Sequence, residues 1–335
     1  MTWVASAPGK AVLLGEYVVL DGALALVLAV DRRATALLAP ASGPRCRFEM
    51  LAPASRVFEF AGGDGAEPSG SALVDSVLAH ADFALPWPSW SARLDSSAFF
   101  AEGSKLGLGS SAAALVAFAG AVWRAAGKAG IAPLQSLIDC HRAFQGGVGS
   151  GIDVAAALYG GAVSFRLDEG RNAHVGSVRL PKSVGFAGVF AGGAASTPDL
   201  VGQYRRWSDS ASARSAALRE RLIAVAQRGC AAANEDNGPA FVGAIDEYGH
   251  CLEELGREMG ADLVTAAHRK IGGLAGEKGL AYKVSGAGGG DVGIACGLDR
   301  EALRSFAVKA ADQGFHVVPL TVDELGLRVN EEHAE

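Results

Sequence analysis

The chain has 335 residues, half of them hydrophobic and 20% charged, a length sufficient for two packed domains and a composition that excludes a disordered chain. Its formal net charge of -6 excludes a broadly basic face for nucleic acid or an anionic membrane, so a small acidic substrate must be met by a few placed Lys or Arg residues. The five cysteines, Cys46, Cys140, Cys230, Cys251 and Cys296, are odd in number and form no Cys-x-x-Cys pair, which excludes a disulfide framework or zinc ribbon and reads as reduced thiols of a cytoplasmic protein. Residues 1–6 lack the basic segment of a secretory signal, and the apolar run at 23–30 is eight residues, far short of the ~20 of a membrane span.

In chain order, residues 3–10 read as a strand broken by Pro8-Gly9, followed by short apolar strands at 11–14, 17–20 and 24–30. Residues 34–38 and 45–51 continue the β pattern, 62–70 reads as a surface loop, and 71–83 has helical spacing. Pro86-Trp87-Pro88 cannot lie in a helix, and 90–94 alternates as a strand. A glycine-rich stretch, Lys105-Leu106-Gly107-Leu108-Gly109-Ser110-Ser111-Ala112, precedes a helical run at 115–126, which Gly127 and Gly130 close. A second helix at 133–144 leads to a second glycine cluster at 146–151, a short helix at 154–159 and a strand at 160–165.

Beyond Pro181 the texture changes to a strand at 185–191 and amphipathic helices at 198–207, 210–234, 239–259 and 262–275. A strand at 280–284, a third glycine loop at 285–291, a strand at 292–296, a helix at 300–313 and a strand at 315–319 follow. The expected division is an N-terminal domain of residues 1–180 and a C-terminal domain of 181–335.

The stretch at 105–112 has the chemistry of a phosphate cradle. Gly107 and Gly109 let the backbone turn sharply and approach a ligand, Ser110 and Ser111 supply hydroxyls, and the following helix start offers free N–H groups and a positive dipole end. Taken alone, it is equally a Gly-rich turn with a Ser cap. A dinucleotide fingerprint is excluded, because no acidic residue lies between Glu102 and Asp139 and because the glycines at 288–293 run into a strand. A Walker-type loop is absent, since Gly127-Lys128 is followed by Ala129.

Together, Ser6-Ala7-Pro8-Gly9-Lys10-x5-Glu16-Tyr17, Gly107-Leu108-Gly109-Ser110-Ser111-Ala112-Ala113 and Ser285-Gly286-Ala287-Gly288-Gly289-Gly290-Asp291 closely resemble the three ordered motifs of the galactokinase, homoserine kinase, mevalonate kinase and phosphomevalonate kinase superfamily, the GHMP kinases. Lys105 before the cradle, the stretch Gln145-Gly146-x-Val148-Gly149-Ser150-Gly151-x-Asp153 and Ser196-Thr197-x-x-Leu200-Val201 are most similar to the phosphomevalonate kinase family. The resemblance implies an α+β fold of two domains, the first like domain 2 of ribosomal protein S5 and the second ferredoxin-like. The active site would lie in the cleft between them, and ATP with Mg²⁺ would phosphorylate a mevalonate-pathway intermediate.

The same resemblance implies residue roles. Lys105, Gly107, Leu108, Gly109, Ser110, Ser111 and Ala112 would hold the nucleotide, with the Ser111 hydroxyl on Mg²⁺, and Lys10 would be the catalytic lysine. Asp153 would orient or deprotonate the acceptor, or else cap the helix at 154–159. Glu16, Tyr17, Arg142, Ser150, Ser196, Thr197, Ser285, Gly286, Ala287, Gly288 and Asp291 would lie on the acceptor side. A phosphate acceptor is mostly ionised at neutral pH and needs little help from a base, so Asp153 would then position Lys10. Its extra charge calls for cations, for which Lys10, Lys105 and Arg142 are candidates, with Lys283 as a fourth. Hydroxyl-acceptor relatives often carry a Glu where this chain has Arg142, and its neighbour His141 receives no role. Mevalonate kinase and a non-catalytic nucleotide sensor remain the alternatives, and monomer and homodimer are both open.

Overall fold

The computed structural model describes residues 1–62, 67–101, 103–147, 149–193, 197–210 and 212–332, and its architecture is α+β. The N-terminal layer begins with two long antiparallel strands, β1 (Thr2–Leu14) and β2 (Ala25–Pro40), followed by β3 (Arg45–Met50) and β4 (Arg56–Ala61). Helix α1 (Ala72–Leu78), strand β5 (Trp90–Asp95) and the small hairpin β6 (Phe100–Ala101) and β7 (Ser104–Lys105) lead to α2 (Ser110–Ala125). Helices α3 (Leu134–Phe144) and α4 (Ile152–Tyr159) and strands β8 (Ala162–Leu167) and β9 (Ala173–Val178) complete the layer.

The remaining chain forms β10 (Gly185–Phe190), helices α5 (Thr197–Asp209), α6 (Ala213–Asn234), α7 (Gly238–Met259) and α8 (Ala266–Gly276), and then β11 (Ala281–Val284) and β12 (Val292–Gly297). Helix α9 (Arg300–Asp312), β13 (His316–Val318) and β14 (Arg328–Glu332) end it. The first sheet runs β14-β1-β2-β5-β3-β4, with β8 on β2 and β9 on β8; the second runs β11-β12-β10-β13. All neighbours in the second sheet are antiparallel. Read from the β13 edge and counted in chain order, its strands stand fourth, first, third, second, the split β-α-β arrangement of ferredoxin-like folds.

Several elements differ from the sequence-based expectation for physical reasons. Pro8-Gly9 does not break the first strand but makes a register shift within it, a bulge that re-aims the residues beyond. A Cβ on Gly9 would lie 2.5 Å from both the Leu108 carbonyl oxygen and the Phe99 ring, so the close approach itself selects glycine. Residues 17–20 are not a strand: Tyr17 has φ 66 and begins a turn of 3-10 helix, Val18–Asp21, closed by left-handed Gly22. The edge strands β9 and β14 escaped the sequence reading because they carry little apolar alternation, whereas in β4 the alternating Phe58 and Phe60 were an available signal. Strand β14 also crosses the expected division at 180/181, since it pairs with β1 in the first sheet. The expected loop at 62–70 falls partly outside the described residues, at 63–66.

Helix α2 runs through the core beneath the first sheet and is buried from Ala112 to Val122. Its small residues permit this, and at Gly120 a Cβ would lie 2.9 Å from both terminal carbons of Leu327. All five cysteines are free and buried. Among the described residues no helix is long and apolar enough to cross a membrane.

Candidate active site

The register shift at Pro8-Gly9, where Asp31 and Arg32 of β2 drop out of the pairing with β1, sets Lys10 against the first glycine loop. The Lys10 backbone N–H donates to the Leu108 carbonyl at 2.8 Å, and its Nζ donates to the Gly107 carbonyl at 3.1 Å. Gly107 (φ 77) and Gly109 (φ 80) occupy the left-handed region that glycine adopts without penalty. A Cβ on Gly109 would come within 2.8 Å of Lys10 Cγ, and one on Gly107 within 2.6 Å of Asp291 Cβ. The first loop is therefore clasped between the lysine on one side and the third loop on the other. A Cβ on Gly286 would stand 3.0 Å from Lys10 Nζ, so the third loop also closes on this amine.

Two helices begin here without a side-chain cap: α2 at Gly109, and α4 at Gly151, which has φ 94. At α2 the free first-turn amides and the positive dipole end suit an anion, whereas at α4 the Ile152 N–H already donates to Ser150 Oγ at 3.3 Å. Asp153 is not the cap of α4 but lies in its first turn, where Oδ1 accepts from the Val154 N–H at 3.1 Å. Lys10, Asp153, Ser111, Lys105 and Asp291 all line one cleft, together with Gly107, Gly109, Ser150 and Gly286. Glu16, Tyr17, Thr197 and Ala287 join them on the side of the C-terminal helices. The cleft is open to solvent along one side.

Burial lowers the pKa of Lys10, while Asp153, Asp291 and Glu16 oppose the drop and Lys105 adds to it. The amine thus sits among carboxylates that offset part of the cost of burying its charge. Helix α5 borders the opening: the Tyr204 ring packs on Tyr17 at 5.2 Å between centroids, and the Tyr204 hydroxyl donates to Asp21.

Several expected site residues do not face the cleft. Leu108, Ser110 and Ala112 are buried in the core, so only their backbone can serve a ligand. Arg142 turns toward the Gly149 and Ser150 carbonyls, at 3.3 and 3.4 Å, and pairs with Asp139 at 3.5 Å; it braces the second glycine loop from behind. Lys283 is buried and paired with Glu16, and burial lowers its pKa against the pull of that carboxylate, so its charge is already engaged. Ser285 Oγ accepts from the Val12 N–H at 2.8 Å and donates to the Val12 carbonyl at 3.2 Å, joining the end of β11 to β1. Gly288 packs on Leu263, whose carbonyl oxygen lies 2.6 Å from where a Cβ would be. Ser196 lies outside the described residues.

The sequence reading missed His141 and Gln145, which line the cleft from the end of α3, and an apolar wall that includes Val12, Val19, Leu20, Ile152 and Val201. The buried positions of α3 are Ser136, Leu137, Ile138, Cys140 and His141. A histidine at the helical spacing of that buried face was the available signal.

The cleft suits a nucleotide and Mg²⁺. Its glycine turns leave space that a Cβ would fill, and the Ser111 hydroxyl and Asp153 carboxylate are oxygen donors of the kind Mg²⁺ takes together with phosphates. Among the described residues no group of three or more His, Cys, Asp or Glu forms a protein-only metal cage.

No protein-family model matches the chain. It is 27% identical over 343 residues to phosphomevalonate kinase of Saccharolobus solfataricus, covering 97% of this chain and 98% of that one. It is 28% identical to phosphomevalonate kinase of Streptomyces sp. strain CL190, with 91% and 92% covered. The structure of Streptococcus pneumoniae phosphomevalonate kinase in complex with phosphomevalonate and AMPPNP superposes with a TM-score of 0.79, at 19% identity, covering 95% of this chain and 99% of that one.

Proposed function

We propose that the chain, an ATP-dependent small-molecule kinase of the GHMP superfamily, is a phosphomevalonate kinase. It transfers the γ-phosphate of ATP to (R)-5-phosphomevalonate, giving 5-diphosphomevalonate and ADP. The observation that carries this reading is the single cleft in which Lys10, Lys105, Ser111 and Asp153 meet the uncapped start of α2. Two anions brought together need cations and free amides at the point of transfer, and Lys10, Lys105 and the start of α2 supply them. The bound phosphomevalonate and AMPPNP of the Streptococcus pneumoniae relative lend support, as do the two phosphomevalonate kinases similar over nearly the full chain.

In the reaction an oxygen of the 5-phosphate forms a bond to the γ-phosphorus while the bond to the β,γ-bridging oxygen breaks, and ADP leaves with that oxygen. The first loop holds the nucleotide phosphates through its backbone amides. Lys10 bears on the charge of the transferred group. Its neighbour Asp153 keeps the amine protonated and aimed, since an ionised acceptor phosphate needs no base. Lys105, exposed at the rim, meets the acceptor's own phosphate, and the apolar wall takes its carbon skeleton. Mg²⁺, when bound at Ser111 and the phosphates, supplies neutralisation of the nucleotide charge.

The test is a panel of acceptors in a coupled assay of ADP release. Activity should be highest with 5-phosphomevalonate. Preference for mevalonate would make the chain a mevalonate kinase, and acceptor-independent background alone would make it a sensor.

A further inference from the structure

The chemistry above leaves His141 without a role, although it stands between the two side chains on which that chemistry depends. The residue is 5% exposed and lines the cleft. Its Nε2 is 3.4 Å from Ser111 Oγ, and its Nδ1 is 4.0 Å from Asp153 Oδ1. The ring is braced edge-on by Phe144, with centroids 6.2 Å apart. Helices α2, α3 and α4 therefore meet at one imidazole, each contributing a single functional side chain.

We propose that His141 is a positioning residue that couples Ser111 to Asp153. With its proton on Nδ1, the imidazole donates toward the Asp153 carboxylate, and that choice of tautomer leaves a lone pair on Nε2. The lone pair accepts the Ser111 hydroxyl proton, so the serine oxygen presents its own lone pairs to the cleft, where a cation on the nucleotide phosphates would need them. Both spacings are longer than good hydrogen bonds, as is common in ligand-free active sites whose bonds tighten on binding. The alternative tautomer would have Nε2–H donate to Ser111 and would leave Nδ1 as an acceptor facing a carboxylate. That is the poorer arrangement of two acceptors.

This inference rests on the nucleotide and Mg²⁺ reading of the cleft, and its test needs no acceptor. Binding of AMPPNP is measured by calorimetry with and without Mg²⁺ for the wild type, His141→Phe and His141→Gln. His141→Phe keeps the ring and loses both nitrogens. It is expected to leave Mg²⁺-free affinity unchanged and to cut the Mg²⁺-dependent gain about ten-fold, the usual cost of removing a group that orients a metal ligand. His141→Gln should restore most of that gain. In a Ser111→Ala background, His141→Phe should change the gain no further, because the two residues act through one hydrogen bond; where the Phe variant does not fold, His141→Ala takes its place in both backgrounds. Equal gains for wild type and His141→Phe, or equal losses with and without Mg²⁺, would overturn the proposal. A wild type without any Mg²⁺-dependent gain would instead overturn the kinase reading beneath it.

Discussion

Replacing Glu16 by Gln should destabilise the protein strongly at neutral pH and less so in alkali. Glu16 and Lys283 lie 267 residues apart in sequence, and their side chains are 2% and 0% exposed. Lys283 Nζ donates to Glu16 Oε1 and to the Val12 carbonyl at 3.2 Å, and the Gly286 N–H donates to the same carboxylate oxygen at 3.3 Å. Removing one partner of such a pair costs about 3–5 kcal/mol, because the other charge stays buried and uncompensated. The Gln carbonyl still accepts from Lys283 and Gly286, which returns about 1 kcal/mol, so a net loss of roughly 2–4 kcal/mol is expected near pH 7.

The pH dependence has a definite sign. Burial lowers the Lys283 pKa and Glu16 opposes that shift; without the carboxylate the folded-state pKa falls further. Between that value and the ordinary lysine value of about 10.4, the unfolded chain binds more protons than the folded one, so stability rises with pH. Urea unfolding followed by tryptophan fluorescence near pH 7 and about pH 9.5 should show the deficit of the Glu16→Gln variant narrowing at the higher pH. The double variant Glu16→Leu with Lys283→Met, which removes both charges and keeps apolar bulk, should recover most of the loss. A deficit below about 1 kcal/mol near pH 7, or one that does not change with pH, refutes the reasoning.

Lys10→Met should lower kcat by about 10²–10³-fold or more, as loss of a preorganised charge at the transferred group does, whereas Asp153→Asn should retain measurable activity on 5-phosphomevalonate. Steady-state kinetics decide this, and a loss for Asp153→Asn as complete as that for Lys10→Met would make Asp153 an obligatory base. Because Asp153 raises the Lys10 pKa against burial, activity that depends on the charged amine falls as pH rises through that pKa. The pH profile of Asp153→Asn should therefore lose activity at lower pH than the wild type; an unmoved alkaline limb refutes the coupling. Gly109→Ala forces a left-handed alanine at φ 80 whose Cβ meets Lys10 Cγ at 2.8 Å. The free loop is expected to relax to relieve about 1–2 kcal/mol of backbone penalty, so restoring the cradle on binding should lower AMPPNP affinity by about ten-fold, and calorimetry showing wild-type affinity would exclude the cradle.

The turns of this site were written locally. A glycine that must turn left-handed, as Gly107, Gly109 and Gly151 do, is a short-range feature, so the glycine loops were legible in the sequence, whereas Lys10, Ser111 and Asp153 became candidates only through the resemblance of the separated motifs taken together. Local pattern also marked the long helices α6 and α7, whose caps Ser212 and Asn237 each accept a backbone N–H in the first turn. Residues 17–20 show where local pattern fails: an apolar run compatible with a strand became a 3-10 turn at Tyr17, whose hydroxyl donates to Ala287, 270 residues away.

The division between Arg142 and His141 shows the same limit. Consecutive residues on a helix point about 100° apart, and the packing of α3 against α2 and α4 turned the histidine into the cleft and left the arginine behind the second loop. Likewise Lys283 reads in sequence as an available cation, and only the tertiary fold pairs it with Glu16. The polar strand β14, with little pattern to announce it, finds its place only because β1 offers an open edge. Sequence by itself determined which turns could bend and which chemistry was present. The tertiary structure decided which charges are spent on each other and which remain for a ligand, because electrostatic pairing and burial depend on distance in space rather than along the chain.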